Sequence, residues 1–257
     1  MIAFTTLYKR EVRRFLRVIG QTVVTPIINS SLYLLIFGVS LGASIELKSG
    51  ITYLAFLIPG LIMMSVLNNA FQNTSSSIVN SKFHGELQDL RVMPLSTQTI
   101  VWAFALGGLT RGLMVGLITY IVGAVFYFIQ YQEILAVHHP VYLLLFLAIG
   151  GISFSFLGIS VSFWAKNFDQ LSAIGSFVLL PLMYLGGVFY SIELLHPFWQ
   201  AITKVNPMLY FINGVRYGLV GVSDVDVNLS LVISVISLVI LFALANRSVK
   251  RGTYSRW

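Results

Sequence analysis

Chemistry in this chain has few residues to work with. Arg111 is the one charge placed firmly inside an apolar segment, and its guanidinium could hold an anionic group. The four histidines, His84, His138, His139 and His196, are scattered over polar connections and lack the spacing of metal ligands. There is no cysteine, which removes disulfides, thiolate metal sites and thiol nucleophiles. No GxxxxGK[ST] phosphate loop, HExxH or GxSxG occurs, so the chain itself is not expected to hydrolyse ATP or to act as a hydrolase. Every Asp, Glu and His falls in a connection or at the edge of an apolar segment. Two readings of Arg111 are open. It faces a pathway or binds an anionic group, or it is structural, snorkelling or bonding a neighbouring carbonyl.

The other residues that could do specific work lie in one water-exposed stretch, Ser81–Thr97, SKFHGELQDLRVMPLST. Phe83, Leu87 and Leu90 fall on one side of a short helix, while His84, Gln88, Asp89 and Arg91 fall largely elsewhere. Pro94 stops that helix, since it has no N–H and disfavours helix at the residue before it. An amphipathic helix of this kind either lies on lipid or is gripped by a soluble partner. Lipid-bound helices favour a cationic polar face. Here Glu86 and Asp89 balance Lys82 and Arg91, which favours a protein partner.

The elements that position these residues are membrane-grade. The composition is 57% hydrophobic and 10% charged, against roughly 25% charged in soluble domains. The expected fold is an all-α polytopic membrane protein forming a single transmembrane domain over residues 1–257, with six spans at about 21–41, 53–79, 100–129, 140–164, 171–190 and 227–245. A segment such as Gln21–Leu41, at about 1.5 Å per residue, covers roughly one 30 Å hydrocarbon core. Residues 1–19 read as an amphipathic interfacial helix. Phe4, Leu7, Val12, Phe15, Leu16 and Ile19 share a face, and Lys9, Arg10, Arg13, Arg14 and Arg17 crowd the other. A charged start followed by a full-length span, rather than a short apolar run, gives no expectation of a cleavable signal.

Three further features constrain the packing. The second span turns polar after Leu67, with Asn68, Asn69, Gln72, Asn73 and Thr74, and so leaves lipid or lines a cavity. Gly108, Gly112 and Gly116 at four-residue spacing clear a stripe for a close helix contact, a candidate for a dimer seam together with the first span. Pro181 is expected to kink the fifth span. Between the fifth and sixth spans, residues 191–226 hold two apolar, aromatic pieces, Leu194–Val205 and Pro207–Val220, each too short to cross. They read as a re-entrant helical hairpin at the outer face or, alternatively, as two surface helices.

The basic residues set the orientation. Six spans put both termini, the loop at 81–97 and the turn at Ala165–Gln170 on one side. That side carries twelve of the sixteen Lys and Arg, against three opposite, Lys48, Lys204 and Arg216. The positive-inside rule places it in the cytoplasm. The formal charge of +7 follows from this juxtamembrane clustering and gives no expectation of nucleic acid as a partner.

GELQDLRVMPLS at Gly85–Ser96 resembles the cytoplasmic coupling segment of ABC-2 type permeases, the membrane subunits of a class of ATP-binding cassette exporters. LGGVFYSIELLHPFWQAITKVNPMLYFINGVRYGLVG at Leu185–Gly221 is similar to that family's C-terminal signature, with Gly186, Gly187, Pro207, Tyr210 and Arg216 at the matching spacing. FLIPGLIMMSVL at Phe56–Leu67 and GGLTRGL at Gly107–Leu113 extend the likeness over most of the chain. One departure is that the family's common Gly-Thr-Leu-Glu is Gly-Glu-Leu-Gln here. The resemblance implies a homodimer in a bacterial inner membrane, joined by two copies of a separately encoded ATPase that carries the ATP and Mg; no cofactor sits on this chain. It implies that Phe83, His84, Glu86, Leu87, Asp89, Leu90 and Arg91 belong to a coupling helix seated in the ATPase. It also implies that residues 1–19 form a connecting helix and that residues 191–220 are the extracellular re-entrant pair. The expected activity is export, of an amphiphile such as a drug, lipid or glycan. The alternative is an ion-coupled secondary transporter, which would usually carry acidic or histidine relays within its spans.

Overall fold

The computed structural model describes residues 2–42 and 50–252. The loop carrying Glu46 and Lys48, the tail with Arg256, and the Arg91 side chain lie outside the described set. All regular structure among the described residues is helical. In chain order it comprises α1 (Ile2–Leu16), α2 (Ile19–Tyr33) with a wider π-type continuation (Leu34–Leu41), α3 (Tyr53–His84), α4 (Glu86–Val92), α5 (Thr97–Tyr131) and α6 (Pro140–Trp164). There follow α7 (Phe168–Ile174), a π-type segment (Gly175–Leu179), α8 (Leu180–Tyr184), α9 (Pro197–Val205), α10 (Pro207–Val220) and α11 (Val227–Arg251), with a single turn at Ile192–Leu194 before α9.

Local chemistry sets these boundaries. Thr52 and Ser96 cap α3 and α5, their hydroxyls accepting from Ala55 N and Thr99 N. Asn167, Asn206 and Asp226 do the same for α7, α10 and α11. Pro140, Pro197 and Pro207 open α6, α9 and α10, where a missing N–H is harmless. Gly85, at φ +82, ends α3 in the left-handed conformation that glycine adopts without strain.

Five helices are long and apolar enough to cross a membrane: Ile19–Leu41, Tyr53–His84, Thr97–Tyr131, Pro140–Trp164 and Val227–Arg251. The expected fifth span is shorter, an apolar stretch at Phe168–Tyr184. It starts earlier than 171 because Asn167 caps it. It stops before 190 because the chain turns at Gly187, whose φ is +79. The π-type segment directly precedes the turn of helix containing Pro181. A proline there donates no hydrogen bond, and the ladder widens upstream of it. The second expected span runs on to His84, since nothing in its polar half breaks a helix before Gly85.

The layers are built around α3. About 78% of its apolar window is buried, against 28% for α2 and 11% for α11, so α3 is the core helix and α2 and α11 face outward. α5, α6 and α10 pack on α3, α11 packs on α6, and α1 and α2 lie along α5. The α3–α5 contact uses the glycine stripe. A Cβ on Gly108 or Gly112 would lie 2.9 Å from the carbonyl oxygens of Ala70 and Val66 respectively, and one on Gly116 would lie 2.6 Å from a Val66 methyl. The stripe is thus occupied within one chain and is not at the surface, which corrects its candidacy as a dimer seam. The first span keeps an apolar outer face of Val24, Ile28, Leu32 and Leu35. The two pieces of the 191–226 region differ. Met208, Phe211, Ile212, Val215 and Leu219 bury α10 in the core, whereas α9 shows Phe198, Trp199 and Val205 on the surface.

Candidate functional site

The loop between α3 and α5 is a rigid knob. Gly85 reverses the chain, α4 follows at once, and Pro94 and the Ser96 cap lead into α5. Leu87 is 1% exposed and Leu90 5%; both pack with Leu7, Ile78, Ile100, Phe104 and Phe163. The expectation that these two leucines meet a partner is therefore corrected. Their apolar side is used to seat α4 on its own chain, because Leu7, Ile78 and Phe163 arrive there from three other helices. Glu86, Gln88 and Asp89 are exposed, with Val92 at 85% and Met93 at 49%. Phe83 is half exposed at the end of α3, with its ring 6.5 Å from that of Phe168. His84 is exposed, and its Nδ1 lies 2.9 Å from Asn80 O.

Lys82, counted above among the loop cations, is buried. Its Nζ donates to Ser162 O at 2.9 Å, Phe163 O at 3.0 Å and Ala165 O at 3.2 Å. A helix leaves its last carbonyls without partners, and a cation there also meets the negative end of the helix dipole. Lys82 thus clamps the C-terminus of α6 and the turn after it to the base of the knob. Lys82→Met is expected to cost about 2–3 kcal/mol, since hydrogen bonds to a charged group are lost and the carbonyls are left unpaired. A lowered melting temperature of the purified variant, with the α-helical circular dichroism retained in the cold, would register it.

α1 is tied to the same body. Glu11, 1% exposed, lies 3.2 Å from an Arg10 nitrogen and 3.4 Å from Arg14 Nε. Arg14 also donates to Asn73 O and, at 2.9 Å, to Asn73 Oδ1 on α3. Tyr8 OH and Thr110 Oγ1 are 2.9 Å apart. Gly107 lets α1 approach, because a Cβ there would lie 2.6 Å from Glu11 Cβ. Burial pushes the Arg14 guanidinium below its ordinary range, and Glu11 pulls it back. The four cations of α1 and Arg17 just after it are therefore divided. Lys9, Arg13 and Arg17 are exposed, while Arg10 and Arg14 turn toward Glu11.

Arg111 stands on α5 where two cavities meet. One, of about 410 Å³, is bounded by Asn68, Gln72, Ser75 and Ser76 of α3 and by Phe168, Leu171, Leu179 and Met183 of the α7–α8 stretch. The other, of about 290 Å³, lies between α2 and α3, with Gln21, Thr22, Thr25, Asn29 and Ser30 facing Ser65, Asn69 and Gln72. Arg111, Asn68, Gln72, Met64 and Leu180 line both. The polar stripe of α2 was missed from sequence, although it carries a signal. Gln21, Thr25 and Asn29 recur every four residues in an apolar span, matching the polar half of α3.

The end of the bundle away from α4 is closed by aromatic rings. Tyr33 OH and Tyr184 OH are 3.2 Å apart, and Phe37 and Phe189 pack with them at centroid distances of 4.9–5.6 Å. Tyr53 OH donates to Phe189 O at 2.7 Å. Beside this cluster Arg216, counted among the three cations of the outer side, is fully buried. Its guanidinium lies 3.7 Å over the Phe56 ring, donates to Gly187 O at 2.7 Å and meets Asp224 at 3.4 Å. Asp224 in turn accepts from Ser191 Oγ and Ile192 N, and Asn213 holds the backbone of Asp224 and Val225. Burial lowers Arg216 to about 10, with Asp224 and Tyr53 raising it, so it stays cationic at neutral pH. Gly187 and Arg216 thus meet directly. Gly186 packs under Ile212 and Met208, where a Cβ would lie 3.0–3.1 Å away. Pro207 opens α10, and Tyr210 OH bonds Lys204 O across the α9–α10 joint at 2.7 Å.

Of the remaining histidines, His138 and His139 are neighbours at the end of α10, and His196 stands at the start of α9. His138 Nδ1 is 3.0 Å from Leu219 O, His139 stacks on Tyr217, and His196 caps α9. Among the described residues no three His, Asp or Glu side chains come together as a metal site would require.

Comparison with known proteins gives this helical bundle a family. Residues 2–220 match the family of ABC-2 type transporters. The chain is 38% identical over 251 residues to the inner membrane transport permease YadH of Escherichia coli K12, an alignment covering 98% of this chain and 96% of the relative. It is also similar to nodulation protein J of Neorhizobium galegae, at 22% over 232 residues covering 90% and 86%, and to that of Rhizobium leguminosarum bv. viciae, at 24% over 221 residues covering 86% and 83%. A family match over most of the chain, and a relative this similar over nearly all of it, leave no place for the ion-coupled alternative: the chain belongs to the ABC-2 type transporter family and is the non-catalytic permease subunit of an ABC exporter, working with a partner ATPase subunit.

Proposed function

We propose that this permease sits in the bacterial inner membrane as a homodimer, docks one copy of the ATPase under each protomer, and moves its substrate along the polar concavity around Arg111. In this reading residues 1–257 act as one transmembrane domain crossing six times, the Phe168–Tyr184 stretch supplying the fifth crossing. Both termini and α4 lie in the cytoplasm, in line with the clustering of Lys and Arg there. α1 lies along the inner leaflet with Lys9, Arg13 and Arg17 toward lipid headgroups or the ATPase. α9 and α10 form the re-entrant pair on the outer side, with Phe198 and Trp199 at the interface. The apolar outer face of α2 supports a dimer contact there. ATP and Mg are bound and consumed on the ATPase, and the permease supplies two states that ATP binding biases.

The observation that carries this reading is the two-sided α4. Leu87 and Leu90 fix it to α1, α3, α5 and α6, and Glu86, Asp89, Val92 and Met93 stand out from the body. A knob seated this firmly transmits displacement to the helices that line the concavity. A pull on α4 reaches α3 directly through Gly85 and α6 through Lys82. Co-purification of tagged permease with its ATPase in mild detergent tests it. The double variant Asp89→Lys/Val92→Asp is expected to reduce ATPase recovery at least tenfold while permease yield and melting temperature hold. Undiminished recovery with the double variant would place the ATPase contact elsewhere.

A further inference from the structure

The two cavities share one cation that nothing neutralises. Among the described residues Arg111 has no ion pair and no hydrogen bond, and its Nε is shut away from solvent without a partner. The charged neighbour that acts on it is another cation, Arg14. Arg14 is already engaged, by Glu11 at 3.4 Å and by Asn73. An uncompensated cation in a partly buried site is costly, and a bound anion relieves that cost.

The rest of the lining says what carries the anion. One helix turn apart on α3, Gln72 Nε2 donates to Asn68 Oδ1 at 3.1 Å. That leaves the Asn68 amide and the second Gln72 N–H free to donate beside Arg111. Across the larger cavity Phe168, Leu171, Leu179, Leu180 and Met183 form a mainly apolar wall, interrupted by Ser172 and Ser176. A small inorganic anion would satisfy Arg111 and leave that wall wet, and a cationic amphiphile would satisfy the wall and oppose Arg111. The volume of about 410 Å³ lies within the range of sites for drug-sized ligands.

We infer that the shared cavity binds an anionic amphiphile, its phosphate or carboxylate head held by Arg111, Asn68 and Gln72 and its apolar chain laid along the α7–α8 wall. This rests on the reading of the concavity as the transport pathway and names the substrate class it accepts.

Native mass spectrometry of the purified permease–ATPase complex in a neutral detergent tests it, with dodecyl phosphate, dodecyltrimethylammonium and inorganic phosphate as probes. Dodecyl phosphate is expected to bind at least tenfold more tightly than either of the others. Arg111→Gln is expected to weaken it at least tenfold, and Arg111→Lys by no more than a few-fold. Gln72→Glu places a carboxylate beside Arg111 and is expected to weaken dodecyl phosphate tenfold without lowering the melting temperature, which keeps the test decisive if Arg111→Gln folds poorly. Equal binding of the cationic probe, or binding unmoved by Gln72→Glu and Arg111→Gln, overturns the inference. Equal binding of inorganic phosphate overturns the amphiphile and leaves a free-anion site. ATP hydrolysis measured in parallel separates the two readings. Arg111-dependent binding that never alters hydrolysis or transport supports the site and defeats the pathway. Coupled transport with no Arg111-dependent binding does the reverse.

Discussion

Arg216→Leu is expected to destabilise the permease by about 3–5 kcal/mol, the cost of removing one partner from a buried charge pair. Asp224 would be left nearly buried with two hydrogen bonds and no counter-charge. Gly187 O and the Phe56 ring would each lose the guanidinium that now bridges them. The loss falls where α3, α10 and the turns before α9 and after α10 are joined, so it would loosen the whole end of the bundle away from α4. A shift in the melting curve of detergent-purified protein, with recovery of the variant much reduced, is the measurement. Asp224→Asn is the informative control. It keeps one side-chain acceptor in place of two, and Arg216 keeps Gly187 O and the Phe56 ring, so its cost is expected to be smaller than that of Arg216→Leu. Equal melting temperatures for wild type and Arg216→Leu would show that the guanidinium holds nothing together.

Leu87→Asp is expected to damage the permease itself rather than the grip of the ATPase on it. An aspartate at this position would place a carboxylate among Leu7, Ile78, Ile100 and Phe163, where the cations at the cluster's rings, Lys82 by Phe163 and Arg10 by Phe104, are already engaged by carbonyls and by Glu11. Burying an unpaired charge costs several kcal/mol. The measurement is a comparison of permease yield and melting temperature with ATPase recovery. For Leu87→Asp all three should fall together. For Asp89→Lys/Val92→Asp only the last should fall. If Leu87→Asp permease were recovered at wild-type yield and stability but without ATPase, Leu87 would be a contact residue after all and α4 would have to turn over in the complex.

The loop at 81–97 shows how far a sequence reading reaches. Its bounds follow from residues with local effects, since Gly85 accepts the left-handed turn and Pro94 ends the helix. Its amphipathic pattern was also legible, but not which side faces inward. Periodicity reports that one face is apolar and is silent on whether lipid, a partner or the chain itself covers it. Pro181 and the glycine stripe behave likewise. The proline marked the disturbance of the fifth helix, and the glycines marked a close helix contact, yet that contact proved to be α3 of the same chain, whose carbonyls the missing side chains admit.

What the sequence determined by itself is the class of the molecule and its long helices. Runs of twenty or so apolar residues have one stable solution in lipid, a helix that satisfies its own backbone. The strings at 85–96 and 185–221 that carry the family resemblance were likewise local. Tertiary structure alone decided the fate of the charges. Arg14, paired with Glu11 one turn away on its own helix, finds Asn73, 59 residues on. Lys82 crosses 80 residues to the carbonyls that end α6, Arg216 is enclosed against Phe56 and Asp224, and Arg111 is left facing a cavity with no partner among the described residues. A charge is cheap or costly according to what stands within a few ångströms of it, and in a helical bundle those neighbours come from helices remote in the chain.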